Sequence, residues 1–353
     1  MSRSIGILTG GGDAPGLNAV LRAVVKYGVG RLGWTLVGIE DSFNGLLETP
    51  YRVRPLTPVS CQGLLQRGGT VLGTTNHGDP FAFPGTNGSR GDRSGEIPRA
   101  MAELGLEGLI VMGGDGTQRI ARQLMERHGV QVVGVPKTID NDLGATDQTF
   151  GFQTAVDCIA DSLDRLHTTA ESHDRILLIE VMGRNAGFLA LHGGLAGGAD
   201  AILVPEIPWR VERLIGKIEE RRAIGRPFSL FVVAEGAWPA GGQAPGMHIV
   251  PGSASQRVAE AILAQRPNLD LRVTVLGHLQ RGGGPDAFDR VLATRMGVGA
   301  VDLVEAGRWG ELVCLRDGRI EGVPLAEAEQ NRAVDPDGEM VRAARAVGIV
   351  FGD

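Results

Sequence analysis

The sequence predicts an α/β protein with two doubly wound, Rossmann-like domains and mostly parallel sheets. Three observations lead to this prediction. Short apolar runs recur along the 353 residues, segments with helical spacing of apolar residues lie between them, and glycines cluster where the runs end. Strands that alternate with helices form parallel sheets covered on both faces, so the runs are apolar throughout rather than alternating.

Eight apolar runs are the predicted strands. In chain order they are Ser4–Thr9, Trp34–Ile39, Gly108–Met112, Gln131–Val135, Ile176–Val181, Ala201–Val204, Leu230–Ala234 and Val273–Leu276. Three segments have the apolar spacing of amphipathic helices, namely Phe152–Leu166, Val211–Ile218 and Val258–Leu263. We expect one domain to comprise residues 1–150 and 278–325, and the other residues 151–277 and 326–353.

One segment, Gly78–Ser94, is rich in glycine, proline and polar residues and is predicted to be an exposed, flexible loop. Two interpretations of it stay open. It is either a surface insertion that the fold tolerates or a mobile flap near a bound nucleotide.

The overall composition is that of an ordinary globular protein and argues against several classes of function. A net charge of −6 argues against a nucleic-acid partner, and no stretch approaches the ~18 consecutive apolar residues of a membrane span. Cys61, Cys158 and Cys314 are widely spaced and odd in number, which argues against a disulfide framework or a zinc site. The N-terminal sequence lacks the features of a signal peptide. We therefore expect a cytoplasmic protein.

Two glycine-rich turns follow predicted strands and have the composition of phosphate-binding loops. In the first, Gly10-Gly11-Gly12, consecutive glycines open backbone N–H groups to a phosphate, although a tight turn without a ligand has the same composition. The second runs from Gly113 to Thr117. There Asp115 supplies a hard oxygen ligand suited to Mg²⁺, or else only caps the following helix. Neither a Walker motif nor a GxGxxG fingerprint is present.

A third turn, Pro136–Asp142, places two carboxylates beside a lysine and a hydroxyl. This set suits phosphoryl transfer, because one carboxylate can accept the proton of the attacking hydroxyl while the other helps to hold metal or water. A polar turn without function is the alternative. A fourth set consists of basic residues at or just beyond predicted strand ends, namely Arg175, Arg184, Arg272, His278 and Arg281. Because arginine binds phosphate through a planar fork, we interpret this set as a phosphate pocket rather than as scattered surface charge.

Together these segments resemble the 6-phosphofructokinase family from Ile5 to about Leu303. The Gly-Gly-Asp-Gly-Thr segment alone also occurs in NAD kinases and in lipid kinases of the diacylglycerol type. Its combination with Pro-Lys-Thr-Ile-Asp-Asn-Asp, Glu-Val-Met-Gly-Arg and Leu-Gly-His-Leu-Gln-Arg-Gly-Gly is specific to the family. The resemblance implies an ATP-dependent enzyme that phosphorylates fructose 6-phosphate in glycolysis, with Mg²⁺ as cofactor.

The resemblance also implies roles for individual residues. Asp140 would be the general base, Arg184 would stabilise the developing charge, and Thr138 and Asp142 would flank the transferring group, with Mg²⁺ at Asp115. The nucleotide would contact Gly11, Gly12, Asn76, His77, Gly114, Asp115, Gly116 and Thr117, where Asn76 and His77 replace an Arg and a Phe of the best-known bacterial pattern. The sugar phosphate would contact Thr138, Ile139, Asp140, Arg175, Met182, Gly183, Arg184, Glu235, Arg272, His278, Leu279, Gln280 and Arg281.

Two positions bear on the phosphoryl donor and point in opposite directions. Pyrophosphate users of the family carry Asp at the position of Gly116, which favours ATP here. They carry Lys at the position of Lys137, where ATP-only bacterial enzymes have Gly. A pyrophosphate-dependent kinase therefore stays open, as does a non-catalytic sugar-phosphate or nucleotide sensor. The family also implies a homotetramer or homodimer in which Arg175 and Arg272 reach the active site of a neighbouring subunit.

Overall fold

In the computed structural model, which describes residues 2–85, 89–244, 246 and 249–353, strands and helices alternate along the chain. The strands are β1 Ser4–Thr9, β2 Thr35–Ile39, β3 Val53–Pro55, β4 Phe83–Pro84, β5 Arg90–Gly91, β6 Gly108–Gly113, β7 Val132–Pro136, β8 Ile176–Val181, β9 Ala201–Leu203, β10 Ser229–Ala234, β11 Leu271–Val275, β12 Glu311–Arg316 and β13 Arg319–Pro324. The helices are α1 Leu17–Val24, α2 Gly30–Leu32, α3 Asn44–Leu47, α4 Glu96–Glu103, α5 Asp115–His128, α6 Phe152–His173, α7 Phe188–Ala196, α8 Val211–Ala223, α9 Ser253–Gln265, α10 Ala287–Glu305 and α11 Glu339–Ala346. Within the described residues, no helix combines the length and apolar character needed to cross a bilayer.

The chain divides into two compact units. The first comprises Met1–Thr138, Leu143–Gly151 and Arg281–Asn331, and the second comprises Ile139–Asp142, Phe152–Gln280 and Arg332–Asp353. The sequence placed the boundaries near residues 150, 277 and 325. The first unit extends to residue 331 because a 3-10 helix that begins at Leu325 buries Leu325 and Ala328 in its core. The turn Ile139–Asp142 belongs to the second unit.

A seven-stranded sheet in the order β13-β12-β7-β6-β1-β2-β3 forms the first unit. Its inner strands are parallel, and the two edge strands, β3 and β13, pair in the antiparallel direction. Alternate residues of β1 point to opposite faces of the sheet. Ile5 and Ile7 pack with α1 and α10, while Leu8 packs in the second core with α4 and α5. Helices therefore cover both faces, as expected for parallel strands.

A four-stranded parallel sheet in the order β11-β8-β10-β9 forms the second unit. Helices α6 and α7 pack on β8, β9 and β10, and α8 and α9 join the apolar core cluster beside the same sheet. The order reverses between β8 and β10, because β9 lies on the far side of β10. Ligands of doubly wound folds bind at such reversals, beyond the carboxyl ends of the strands.

The predicted α/β fold is confirmed, and each predicted apolar run overlaps a strand. Helix α6 continues to His173, beyond the predicted end at Leu166, although Ala170 is the only buried residue in that added part. Segment Gly78–Ser94 contains the short hairpin β4–β5 and a 3-10 helix, with Pro80 and Ser94 buried, while its residues 86–88 lie outside the described part.

Candidate active site

The two glycine-rich turns of the first unit lie beside each other, because β1 and β6 are neighbouring strands. Gly10 N donates to the carbonyl of Met112 at 2.9 Å, which joins the ends of the two strands. The strand order reverses here, since β2 lies on one side of β1 and β6 on the other. Their backbone N–H groups are thus at the location where doubly wound folds bind phosphates.

Thr117 explains why glycines stand in both turns. A Cβ at Gly10 would lie 2.7 Å from Thr117 Cγ2, and one at Gly113 would lie 2.4 Å from Thr117 Cβ. Thr117 is buried, so its side chain packs between the turns. Gly116 differs from both, because no atom lies within 4 Å of a Cβ built there. A side chain at position 116 would therefore enter open space.

Lys137 and Arg281 both reach the first glycine turn. The buried ammonium of Lys137 donates to the carbonyl of Gly12, and Arg281 Nη1 donates to the carbonyl of Asp13 at 3.0 Å. A Cβ at Gly12 would lie 2.9 Å from Arg281 Nη1, so a side chain there would displace the Arg281 guanidinium. The sequence assigned Arg281 to the sugar phosphate, and the structure adds a contact with the glycine turn. Thr138 follows Lys137, and its carbonyl accepts from Thr149 Oγ1 at 2.7 Å.

Asn76 and His77 lie on the segment that follows Thr75, whose carbonyl accepts from Gly11 N at 3.1 Å. Both side chains are exposed. Asn76 Oδ1 is 3.9 Å from the position of a Cβ on Gly11. Asn76 therefore lies beside the first glycine turn, and His77 is bound through its backbone to Thr75 Oγ1 and Asn44 Nδ2.

Gln118 is a supporting residue that the sequence reasoning missed. Its fully buried amide donates from Nε2 to the carbonyls of Val111, Gly113 and Val135, each at 3.1 Å. These carbonyls belong to β6 and β7, so one side chain fixes the ends of both strands below the turns. Its position directly after the Gly-Gly-Asp-Gly-Thr segment was the available signal.

The second unit contains the carboxylate turn Ile139–Asp142. Asp140 is only 4% exposed, and Ile139 is fully buried. Asn141 has a φ of 54°, in the left-handed region where asparagine is tolerated better than most residues. The turn is thus tightly defined and holds a carboxylate largely out of water.

The turn after β8 places Met182, Gly183 and Arg184 beside Glu235, which follows the neighbouring strand β10. Arg184 N donates to Glu235 Oε1 at 2.9 Å, and the Arg184 side chain is exposed. Burial raises the pKa of the Glu235 carboxyl, the bond from Arg184 N opposes this, and the charge of Asp140 raises it further. These residues lie at the strand-order reversal of the second sheet, where doubly wound folds bind ligands.

The segment His278–Gln280 is close to the same turn, but its members differ in exposure. His278 and Leu279 are exposed, whereas Gln280 is fully buried. Gln280 Oε1 accepts from Met182 N at 3.2 Å, and Gln280 Nε2 donates to the carbonyl of Gly277 at 3.1 Å. Gln280 therefore supports the turn after β8 through its side chain rather than presenting that side chain to a ligand.

Arg175 and Arg272 lie at the amino ends of strands in the second sheet, whereas Arg184 and Glu235 follow the carboxyl ends. This corrects the expectation that all basic residues follow strand ends. Arg175 precedes β8, and Arg272 is the second residue of β11. Both arginines pair with Asp270, Arg175 Nε at 2.9 Å and Arg272 Nη1 at 2.5 Å. Since β8 has six residues rising ~3.3 Å each, Arg175 and Arg184 lie roughly 20 Å or more apart along the strand direction.

Two buried carboxylates of the second unit also escaped the sequence reasoning. Glu180 in β8 accepts from Ser255 N at 2.9 Å and from Gly252 N, at the start of α9. Glu206 Oε1 accepts from Gly187 N at 2.9 Å and from Val334 N at 2.8 Å. Burial raises the pKa of Glu206, while these hydrogen bonds oppose the rise. Both carboxylates stabilise the surroundings of the turn after β8.

Comparison with known proteins identifies the family of this constellation. The phosphofructokinase family model matches residues 4–304. An ATP-dependent 6-phosphofructokinase of Chloroflexus aggregans is 53% identical over 355 residues, covering 99% of this chain and 98% of the relative. A pyrophosphate–fructose 6-phosphate 1-phosphotransferase of Streptomyces coelicolor is 46% identical, covering 99% of both chains. The solved phosphofructokinase of Saccharomyces cerevisiae matches with a TM-score of 0.80 at 31% identity, over 93% of this chain and 45% of the yeast chain.

Proposed function

This chain belongs to the phosphofructokinase family, and from that premise we propose that it transfers the γ-phosphoryl group of ATP to the 1-hydroxyl of fructose 6-phosphate, a step of glycolysis. The observation that carries the proposal is the buried carboxylate of Asp140, two residues beyond Thr138. Thr138 follows strand β7, which adjoins β6 and its Gly-Gly-Asp-Gly-Thr turn. The chain thus joins a phosphate-binding turn directly to a candidate base.

Asp140 acts as the general base in this proposal. Its carboxylate accepts the proton of the 1-hydroxyl as the oxygen attacks the γ-phosphorus, and the bond from that phosphorus to the bridging oxygen of ADP breaks. Arg184 supplies positive charge to the transferring group, and Thr138 and Asp142 flank it. Support for a defined position of Arg184 comes from the bond between its N–H and Glu235.

Donor choice follows from the first unit. The ATP phosphates bind the turns at Gly11, Gly12 and Gly114–Thr117, where backbone N–H groups and the start of α5 favour anions. Gly116 leaves space for an α-phosphate, since no atom lies within 4 Å of a Cβ built there. Pyrophosphate is the second candidate donor, because Lys137 is present and the Streptomyces coelicolor relative is named for that donor.

Mg²⁺ fits the first unit as a partner of the nucleotide. Among the described residues, no group of three or more His, Cys, Asp or Glu side chains could hold a metal ion alone. Mg²⁺ is commonly bound by one or two carboxylates together with substrate phosphates, and Asp115 at the start of α5 supplies such a carboxylate. When bound, the ion neutralises charge on the phosphates.

The sugar phosphate binds the second unit through Met182, Gly183, Arg184 and Glu235, with His278 on the 6-phosphate. Arg175 and Arg272 lie at the amino ends of β8 and β11, too far along β8 to join this site in the same chain. We therefore assign them to the site of a neighbouring subunit in a homotetramer or homodimer. An odd number of cysteines, all free, favours a reducing cytoplasm.

Phosphorus NMR of the purified protein with fructose 6-phosphate, ATP and Mg²⁺ tests this proposal. We expect ADP and a new sugar 1-phosphate signal to appear together, and neither to appear when fructose 6-phosphate is omitted. Binding of both ligands without any turnover would contradict the proposal and would indicate a sensor. Turnover with pyrophosphate but not with ATP would leave the acceptor assignment intact and overturn the donor.

A further inference from the structure

We infer that Arg332 is a positioning residue that holds the turn Ile139–Asp142 in the conformation from which Asp140 accepts the proton. This inference rests on the proposed function of Asp140. Arg332 opens the last segment of the second unit, which returns to the turn from a distant part of the sequence. It does not itself contact the reacting atoms in this inference.

Two hydrogen bonds carry the argument, and both go to carbonyls that follow Asp140 directly. Arg332 N donates to the carbonyl of Asp142 at 2.8 Å, and Arg332 Nε donates to the carbonyl of Asn141 at 2.8 Å. One residue thus binds two successive peptide groups of the turn. A guanidinium donor is charged, so its bond to a carbonyl is stronger than a neutral one.

The conformation of Asn141 explains why such support is needed. Its φ of 54° lies in the left-handed region, which a residue with a side chain adopts only when its surroundings determine it. If Asn141 adopted an extended or right-handed conformation instead, the peptide group that Arg332 binds would be reoriented. It would also turn the neighbouring Asp140, whose carboxylate is buried and has little room to adjust.

The Arg332 guanidinium is itself held in place. It lies over the ring of Phe188, 5.1 Å from the centroid, at the first turn of α7. Two residues further along, Val334 N donates to Glu206 Oε1, the same oxygen that binds Gly187 N. The segment Arg332–Val334 is therefore tied both to the carboxylate turn and to the end of the turn that carries Arg184.

Arg345→Ala is a matched control for Arg332→Ala, because it removes another arginine from the same final segment of the chain. Its guanidinium lies over the ring of Phe351, 5.3 Å from the centroid, and pairs with Asp353 at 2.6 Å. Arg345 belongs to the same unit and the same final segment, but no described hydrogen bond links it to residues 139–142. A purely structural effect of deleting such an arginine should therefore appear in both variants.

The first experiment compares Arg332→Ala, Arg332→Lys and Arg345→Ala by steady-state kinetics with ATP and fructose 6-phosphate. A misplaced reacting group can cost on the order of 100-fold in rate. We expect kcat to fall ~10- to 100-fold in Arg332→Ala and less in Arg332→Lys, with KM for ATP changed less than about threefold. Methylguanidinium should restore part of the Arg332→Ala activity. Unchanged kcat, or an equal loss in Arg345→Ala, would overturn the inference.

A double-mutant cycle with Asp140→Asn tests whether Arg332 acts through the base. If it does, Arg332→Ala should reduce the residual rate of Asp140→Asn by less than about threefold, because the group being positioned is already absent. Full additivity of the two losses would contradict the inference. Equal melting temperatures of the single variants exclude a folding defect as the cause.

Amide hydrogen exchange separates this inference from the proposed function, because it needs no turnover. Peptides that cover Ile139–Asp142 should exchange at least ~10-fold faster in Arg332→Ala than in wild type, and at the wild-type rate in Arg345→Ala. Unchanged exchange in this turn would overturn the inference even in an active enzyme. Absence of wild-type turnover, with the exchange result as expected, would instead contradict the proposed function.

Discussion

In the proposed function the chemistry depends on Asp140, and the burial of this residue makes a conservative substitution informative. Asp140→Asn keeps the shape of the side chain and removes the proton acceptor. We expect kcat to fall by ~10²- to 10⁴-fold, the usual loss when a general base is removed. Steady-state assays with fructose 6-phosphate measure this.

The control for this variant is Asp161→Asn, because Asp161 lies in α6 and its side chain is 64% exposed. It should keep wild-type activity. An Asp140→Asn enzyme within a few-fold of the wild-type kcat would assign the base to another residue.

Glu235 connects substrate binding to pH-dependent stability. Burial raises the pKa of its carboxyl in the folded state. The unfolded chain therefore releases this proton at lower pH than the folded protein does. The protonated carboxyl thus contributes folding stability that is fully present below the pKa of the unfolded chain and is lost as the pH rises through the pKa of the folded protein. Glu235→Gln does not titrate, so it does not lose stability with rising pH in this way. Its side chain retains an oxygen that can accept from Arg184 N.

We expect the melting temperature of Glu235→Gln to rise relative to that of wild type as the pH increases from the pKa of this carboxyl in the unfolded chain to its raised pKa in the folded state. The KM for fructose 6-phosphate should rise several-fold at the same time. Thermal unfolding across that range checks the first expectation. A difference between the two proteins that does not change with pH would show that Glu235 titrates alike in both states.

The elements most accurately predicted from sequence are those whose residues are buried on both faces. Strands β1, β6, β8 and β10 are buried at nearly every position and mostly apolar, so their runs stand out. Strands β12 and β13 were not predicted. Strand β13 is a sheet edge with one buried residue among six, whereas β12 was missed although its four central residues are buried. An edge strand buries too little to produce a continuous apolar run.

Residues of the candidate site were predictable where reactive or phosphate-binding residue types directly follow a predicted strand. Supporting residues that come from distant parts of the sequence were not predictable. Gly113–Thr117 and the turn at Asp140 have informative residue types in sequence. Arg332 does not, because its contact with Asn141 depends on a chain return of 191 positions. The position of Arg175 at the amino end of β8 could have been predicted, because Arg175 directly precedes the predicted run Ile176–Val181.

At the level of elements, Gln118 is expected to hold the ends of β6 and β7 together. Gln118→Leu leaves the carbonyls of Val111, Gly113 and Val135 without their side-chain donor. Loss of a buried hydrogen-bonding partner costs ~1–3 kcal/mol, so unfolding should shift to lower urea concentration by a corresponding amount. We also expect a higher KM for ATP.

Gln256→Leu is the matched control for Gln118→Leu, because Gln256 is exposed and its side-chain amide donates to Glu260 on the same helix, α9. Its urea midpoint should equal that of wild type. A Gln118→Leu protein with wild-type stability and wild-type KM for ATP would show that the strand ends hold without this amide.

At the level of the whole molecule, the position of Arg175 predicts active sites shared between subunits. Asp140→Asn and Arg175→Ala should each be inactive alone, for different reasons. When the two are mixed under conditions that exchange subunits, some sites combine an intact Asp140 with an intact Arg175. We expect part of the wild-type activity to return in the hybrids.

Native mass spectrometry of the mixture supplies the control, because it shows whether hybrid oligomers form. Hybrids that form without any recovered activity would contradict shared sites. A monomeric protein with full activity would contradict them as well, and would require Arg175 and Arg272 to serve a purpose other than substrate binding.

The choice of phosphoryl donor is a property of the whole enzyme. Gly116 favours ATP, whereas Lys137 favours pyrophosphate. Lys137 adds a positive charge, but its ammonium already donates to the carbonyl of Gly12, and charge alone does not exclude ATP. Gly116 leaves open space that an aspartate would fill with negative charge beside the α-phosphate, at a cost of roughly several kcal/mol. Gly116→Asp should therefore lose ATP activity steeply, whereas Gly116→Ala should lose little.

The most direct test is kcat/KM of the wild-type protein for ATP and for pyrophosphate, measured with fructose 6-phosphate and Mg²⁺ in the same buffer. We expect turnover when both the acceptor and ATP are present, and a higher kcat/KM for ATP than for pyrophosphate. A higher value for pyrophosphate would show that Lys137 outweighs Gly116. No turnover with either donor would contradict the assignment of a sugar-phosphate kinase itself.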